Sequence, residues 1–267
     1  KFPLNSIPAI ASKKNDVEDA FDHGRRQIHN FILRNNQQKK VIQSYLATIA
    51  FTDAMLGRLL DGLAKSKLKE NTIIVLWSDH GMHMGEKENW EKFTLWERST
   101  RVPFFIAAPG ITQAATTSDA TVSLLDIYPT LAELIGETPA AHCEGTSLVP
   151  LLKGQEFTRD PVVMGYQFLD DKAYAVRSDR YRYIYYSTIG LEELYDLETD
   201  QHEWHNIAYK PENISTVEEH RKYLLAKVPD LTWSKQVPIG YNLQKDGTIR
   251  KTNFVSMENL EYKNEWY

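Results

Sequence analysis

Asp79 and His80 stand side by side where an apolar run ends, and Lys92 follows thirteen positions after the aspartate. A carboxylate offers a hard anionic oxygen to a divalent cation, an imidazole offers a nitrogen donor, and an ammonium is a point charge for an anion. The stretch from Ser78 to Lys92 therefore has the residue types to hold a metal and an anion together. The blander alternative is a turn, with Asp79 bonding backbone amides and Gly81 supplying a positive φ.

The elements around these residues favour a site. Thr72-Ile73-Ile74-Val75-Leu76-Trp77 is a continuous apolar run with β-branched residues at its start, which predicts a strand covered on both faces and an α/β layer fold. Ligands in open α/β sheets gather beyond the carboxyl ends of such strands, where Asp79 and His80 fall. From Gly81 to Lys92 the chain shows neither helical nor strand period, and a loop of that length in a compact domain is more often functional than not. A second apolar strand with a Pro-Gly turn, Val102 to Gly110, closes it.

The segment SDHGMHMGEKENWEKFTLWERSTRVPFFIAAPG, residues 78–110, resembles the second metal-and-sulfate motif of the type I sulfatases, formylglycine-dependent members of the alkaline phosphatase superfamily. YLATIAFTDAMLGRLLDGL resembles the helix before the motif strand, DIYPTLAELIG the next helix, EGTSLVPLLKG a connecting loop, and ELYDLETDQHEWHNIA the C-terminal signature. These pieces run in family order over residues 37–208 and are most similar to iduronate-sulfatase-like and bacterial polysaccharide sulfatases. By position, the resemblance implies that Asp79 and His80 are metal ligands and that Lys92 is the catalytic contact to the sulfate. It implies one divalent cation, calcium, although an imidazole at His80 suits zinc better than an amide oxygen would. His83 is expected either to reach the substrate or to pin the loop. Lys87, Glu88 and Arg98 are expected to be solvated or structural, and Trp90 and Trp96 to pack the loop.

The family's nucleophile, a formylglycine made from a Cys/Ser-x-Pro/Ala-x-Arg motif, has no counterpart here. Cys143 is followed by Glu144-Gly145-Thr146-Ser147, and Ser6-Ile7-Pro8-Ala9 runs into Ile10 where arginine is needed. The sequence also opens on Lys1-Phe2-Pro3. We therefore expect the C-terminal part of a longer sulfatase whose missing N-terminal portion carries the nucleophile and an acidic pair, and a chain that is inactive alone. Two other readings stay open: a two-metal phosphodiesterase of the same superfamily, whose zinc site has a similar Asp-His-Gly-Met string, and a non-catalytic binding module.

The 267 residues are 42% hydrophobic and 25% charged, enough for a sizeable core, and a net charge of −5 gives no basic footprint for nucleic acid. No apolar run approaches a membrane span. The expected partner is a sulfated sugar or other sulfate ester, and the resemblance implies a periplasmic, secreted or lysosomal location. The fold expected is α/β: residues 1–155 form the C-terminal part of the sulfatase mixed-sheet catalytic domain, and 156–267 form a small antiparallel sheet with a helix, plus a tail.

In detail, residues 1–15 read as an irregular arm and Asp16 to Arg34 as a surface helix. Gln37 to Leu63 reads as an amphipathic helix burying Ile42, Leu46, Ile49, Met55, Leu56, Leu59 and Leu60, with Asp53 buried on the same side and paired. Asp126 should cap a helix from Ile127 to Ile135 that packs through Ile127, Leu131, Leu134 and Ile135, with Gly136 just beyond its end. Tyr174–Arg177 and Tyr181–Tyr186 read as a hairpin and Glu193–Leu197 as a further strand. Ser215-Thr216-Val217-Glu218 should open a helix as a capping box, and residues 230–267 read as a polar tail. The tyrosine and arginine density of the hairpin fits either a carbohydrate platform or plain strand packing, and we favour packing.

Overall fold

The structure, a computed structural model, describes residues 2–168, 171–233, 238 and 240–252. Its helices are α1 (Arg26–Arg34), α2 (Gln38–Ala64), α3 (Glu97–Thr100), α4 (Ile127–Leu134), α5 (Val149–Leu152) and α6 (Ile214–Lys227). Its strands are β1 (Ile74–Trp77), β2 (Phe104–Ala107), β3 (Val162–Phe168), β4 (Asp171–Arg177), β5 (Tyr181–Tyr186), β6 (Leu191–Asp196), β7 (Tyr241–Leu243) and β8 (Ile249–Lys251). The class is the α/β expected.

Three antiparallel sheets are present among the described residues: β1 with β2, then β3 to β6 in chain order, then β7 with β8. β1 meets β2 with Trp77 opposite Phe104, so the whole 78–103 connection springs from one end of the pair. Their apolar surfaces are not covered on both faces within this chain, since Trp77 is half exposed and Phe105 more so.

The four-stranded sheet holds the core. Alternation along β5 sends Tyr183 and Tyr185 to one face, where they pack with Val217 and Leu224 of α6. Ile184 and Tyr186 go to the other, against Val17, Ala20, Leu95 and Trp96. Tyr183, Tyr185, Tyr186 and Tyr195 are thus buried and Tyr181 is partly buried against the same core, so the hairpin tyrosines serve packing, the reading favoured over a carbohydrate platform. β3 is an addition that the sequence did not signal.

Several local expectations are corrected. Asp16 to Ala20 is turn and bend rather than helix, with Val17 and Ala20 in the core, and α1 begins only at Arg26. α2 has the expected span, yet among its expected buried residues only Ile42 is buried, with Leu46 packed partly against it; Leu59 is 69% exposed. Asp53 is exposed as well, because helical spacing fixes which residues share a side but not whether that side is covered. Asp126 does not cap α4: it closes a capping box with Ser123, accepting from the Ser123 amide at 2.7 Å. It also accepts from Thr146 N at 2.8 Å and pairs with Arg159. Pro129, Thr130 and Ala132 carry the burial of α4, while Ile135 is exposed. Gly136 does end the helix, at φ +81, with the paired bonds of a Schellman motif from Gly136 N to Glu133 O and from Glu137 N to Ala132 O. α6 starts at Ile214 behind Asn213 with no side-chain cap, so the Ser215 capping box does not form.

The expected polar tail is partly built structure. Tyr241 donates to Ala20 O at 2.8 Å, and Ile249 is fully buried, which docks the β7–β8 hairpin on the core. Residues 253–267 of that stretch lie outside the described residues. No helix among the described residues is long and apolar enough to cross a membrane.

Candidate functional site

β1 delivers its last residue, Trp77, to the edge of the sheet, and the turn after it is tied from three directions. Ser78 Oγ donates to His80 O at 2.8 Å. Gly81 N donates to Ser99 O at 2.8 Å. The third tie explains the glycine: a Cβ at Gly81 would run into the Arg98 carbonyl. Gly81 is outside the left-handed region, so close approach to α3 and not a positive φ requires it.

That turn presents Asp79 and His80 on one side. The Asp79 side chain is 83% exposed, and its Oδ2 lies 3.4 Å from His80 Nε2. His80 Nδ1 lies 2.7 Å from Gly81 O, which assigns the ring proton to Nδ1 and leaves the Nε2 lone pair free to accept. Lys92 Nζ takes it at 2.7 Å. All three residues singled out by the sequence therefore meet at one point.

The loop that returns Lys92 is tied along its length by its own backbone bonds. His83 N bonds Glu91 O at 3.0 Å and Gly85 N bonds Asn89 O at 2.9 Å, making a narrow hairpin with Glu86–Glu88 at its tip. Lys87, Glu88 and Phe93 all hold positive φ, between 51 and 62 degrees. Non-glycine residues stay there only where their surroundings over-determine them.

His83 is fully buried, with Nδ1 3.1 Å from Glu86 O and Nε2 2.8 Å from Thr94 Oγ1. Burial pushes its pKa down to about 3, so it is neutral. With both nitrogens bonded, this is the geometry of the loop pin, not of a group facing substrate. Trp90 and Trp96 pack the loop as expected, donating to His29 Nδ1 and Glu193 Oε2. Arg98 is half exposed and pairs with Glu86 at 3.1 Å.

Lys87 and Glu88 are structural rather than solvated. Lys87 is 3% exposed and its ammonium lies 3.2 Å from Asp16 Oδ1. Burial opposes that charge, but Asp16, Asp19, Glu193 and Glu203 together raise its pKa. Glu193 and Glu203 are themselves pushed by burial up to about 7, against the pull of nearby cations. Sequence reasoning missed this cluster, since Lys87 stands 71 positions from Asp16 and 116 from Glu203.

For a divalent cation, the donors fit as part of a set. Two donors 3.4 Å apart match one edge of a shell whose ligands lie at about 2.3–2.6 Å. Among the described residues no group of three or more His, Cys, Asp or Glu side chains could hold a metal, so the remaining ligands would come from elsewhere.

Two family models match the chain: Sulfatase over residues 9–137, and the C-terminal model of N-sulphoglucosamine sulphohydrolase over residues 85–229. A sulfatase from Formosa agariphila is 39% identical over 233 residues, covering 87% of this chain and 44% of the relative. A choline-sulfatase from Rhizobium meliloti is 36% identical, covering 68% of this chain and 36% of the relative. A solved structure in complex with its substrate D-glucosamine-2-N,6-O-disulfate superposes with a TM-score of 0.68 at 29% identity, covering 73% of this chain and 41% of that one. The chain thus spans less than half the length of each of these proteins. The two models overlap on the loop that brings Lys92 to His80, and the chain belongs to the sulfatase family, in register with its C-terminal portion.

Proposed function

We propose that this chain supplies the metal- and sulfate-holding half of a site that hydrolyses sulfate esters, and that the substrate is a sulfated carbohydrate. The observation that carries the reading is the convergence of Asp79, His80 and Lys92 at the end of β1, within 3.4 Å links, on a sulfatase chain. The sugar class is supported by the relative bound to a glucosamine disulfate.

Asp79 and His80 would hold one divalent cation; the His80 Nε2 lone pair serves either Lys92 or the cation, so on metal binding the Lys92 ammonium would leave Nε2 for a sulfate oxygen. We favour calcium for the hard, exposed carboxylate of Asp79, with zinc as the alternative that the imidazole allows. Such a cation supplies Lewis-acid stabilisation of negative oxygens. Lys92 binds a sulfate oxygen and neutralises charge growing there; because its loop is fixed beforehand, little reorganisation is needed during reaction. The Nδ1–H bond from His80 to Gly81 O keeps the ring oriented with Nε2 outward.

This chain has no counterpart of the formylglycine motif, so we assign the nucleophile and acidic pair to an N-terminal sulfatase portion and regard the chain alone as inactive. Two facts support that division. The relatives are more than twice the length matched, and the surfaces of α2, β1 and β2 that such a portion would cover carry exposed Phe51, Leu59, Trp77 and Phe105.

In the enzyme assembled with that portion, Lys92→Ala should cut sulfate-ester turnover by about 10²–10³, the usual loss for one transition-state donor. Undiminished turnover would remove Lys92 from the mechanism. Metal analysis tests the rest: one calcium agrees with a sulfatase, whereas a zinc pair would favour the two-metal phosphodiesterase reading.

A further inference from the structure

Lys92 sits in a span whose two ends are fixed by residues remote in sequence. The upstream post is Lys87. Its backbone N–H donates to Asp16 Oδ2 at 3.0 Å, its ammonium meets Asp16 Oδ1 and the Glu203 carbonyl, and it lies 5.5 Å from the Trp96 ring centre and 5.0 Å from that of Tyr195. The downstream post is Leu95–Glu97. Leu95 O accepts from Arg182 Nη1 at 2.7 Å, Glu97 N donates to Glu203 Oε2 at 2.9 Å, and Glu97 Oε1 takes Arg182 Nη2 at 2.9 Å and Arg177 Nε at 2.7 Å.

Glu203 joins the two posts. Its carbonyl receives Lys87, its carboxylate receives the Glu97 amide, and its Oε1 lies 3.0 Å from Arg182 Nε, close enough for an ion pair though not aligned as a hydrogen bond. Glu203 itself holds φ 57, a conformation that a surrounding structure must impose. Lys87, Arg182 and Glu203 are each 3% exposed or less, so none of them faces substrate.

We propose that Lys87, Arg182 and Glu203 form a positioning cluster through which the four-stranded sheet sets Lys92 against His80. The two posts fix the ends of the 88–94 span, and the left-handed turn at Phe93 then directs Lys92 to the Asp79–His80 turn. These residues act through Lys92. The consequence for sulfate binding rests on the role assigned to Lys92 above, but the placement itself does not.

The placement is tested on this 267-residue chain with neither substrate nor metal, and only the turnover arm uses the enzyme assembled with its N-terminal portion. Lys92 is compared with exposed Lys67 by competitive acylation read by mass spectrometry, and His80 Nε2 is followed by ¹⁵N NMR. Lys87→Met removes one post. Because it strands the Asp16 carboxylate, the second variant, Lys87→Met with Asp16→Asn, removes the buried charge with it. His80→Ala is the reference for a Lys92 whose partner is gone. We expect the folded variants to raise Lys92 acylation relative to Lys67 by about tenfold, toward the His80→Ala value, as for one lost charge-assisted hydrogen bond. The His80 Nε2 resonance should move with it. A folded double variant with unchanged Lys92 acylation and an unchanged His80 resonance would overturn the proposal and leave the cluster a stabiliser only. If the acylation responds while Lys92→Ala leaves sulfate-ester turnover intact, the positioning stands and the sulfate-binding role of Lys92 falls.

Discussion

Gly81→Ala and Gly57→Ala add the same methyl group to the same chain, and the structure gives them opposite signs. At Gly81 the new Cβ would collide with the Arg98 carbonyl and come within 3.2 Å of Arg101 O. Both are backbone atoms of the segment that follows Trp96, so no side chain can swing aside. Overpacking of this kind costs about 1–3 kcal/mol. If the turn shifts to relieve it, the Gly81 N–H bond to Ser99 O is strained at a cost of about 1 kcal/mol. Against this stands a gain of about 0.4–1 kcal/mol from a stiffer unfolded chain. The net is a loss of about 2 kcal/mol, or roughly 4–8 °C in Tm for a chain of this size.

At Gly57, on an exposed face of α2, nothing lies within 4 Å of the new Cβ. Alanine is the better helix former there by about 0.5–1 kcal/mol, so this variant should be stabilised. Urea unfolding followed by circular dichroism measures both. A Gly81→Ala chain within about 0.5 kcal/mol of the parent, against the overpacking cost above, would refute the close approach of the Asp79–His80 turn to α3. A destabilised Gly57→Ala would refute the assignment of open space on α2.

Acid should unfold the protein partly through His83. Its pKa falls from 6.5 to about 3 on burial, so folding releases its proton; its contribution is complete above about pH 6.5 and is lost on the way to pH 3, at up to about 1.4 kcal/mol per pH unit. Glu193 and Glu203, raised to about 7, contribute with the opposite sign, so the comparison to make is His83→Gln against the parent from pH 7 to 4; equal slopes in urea unfolding would contradict the buried neutral imidazole. Thr130→Val should cost about 1–3 kcal/mol, because Thr130 Oγ1 accepts from the Leu148 amide at 2.8 Å and its loss leaves a buried donor without a partner. Phe51→Ser and Leu59→Ser should each change the stability of this chain by less than about 0.5 kcal/mol, since both side chains are exposed; a loss of the size seen in cores would show that α2 is covered within the chain.

What the sequence disclosed follows from how far each feature reaches. α2 was legible because twenty-seven residues keep one apolar period, and the β4–β5 hairpin because Tyr, Val and Ile surround a Ser178–Asp179 turn. The meeting of Asp79, His80 and Lys92 was expected from a spacing of thirteen residues and a family resemblance. Burial was less legible. Asp53 shares a side with Leu46 and Leu60, but whether that side is covered depends on surfaces that periodicity does not contain. Asp126 and Ser215 fit capping patterns that other residues pre-empt, Ser123 by supplying the box and Asn213 by standing at the helix start. The sequence left Lys87 between solvated and structural because its partners, Asp16 and Glu203, are 71 and 116 positions away.

The chemistry of β5 indicates why the site loop depends on the sheet. Facing the loop, Ile184 and Tyr186 fill apolar volume, and Arg182 shares their side although it is 2% exposed. A buried ion pair is a poor source of net stability, because desolvation offsets its attraction, and well-packed apolar residues of similar volume often serve as well or better. Hydrophobic packing would not, however, choose among neighbouring registers of the loop. Arg182 does so: its guanidinium reaches Leu95 O, the Glu97 carboxylate and the edge of Glu203 in three directions that a slip of one residue would break. The residue whose placement that geometry controls is Lys92, three positions before Leu95 and beyond the Glu86–Glu88 turn that holds the loop's tip.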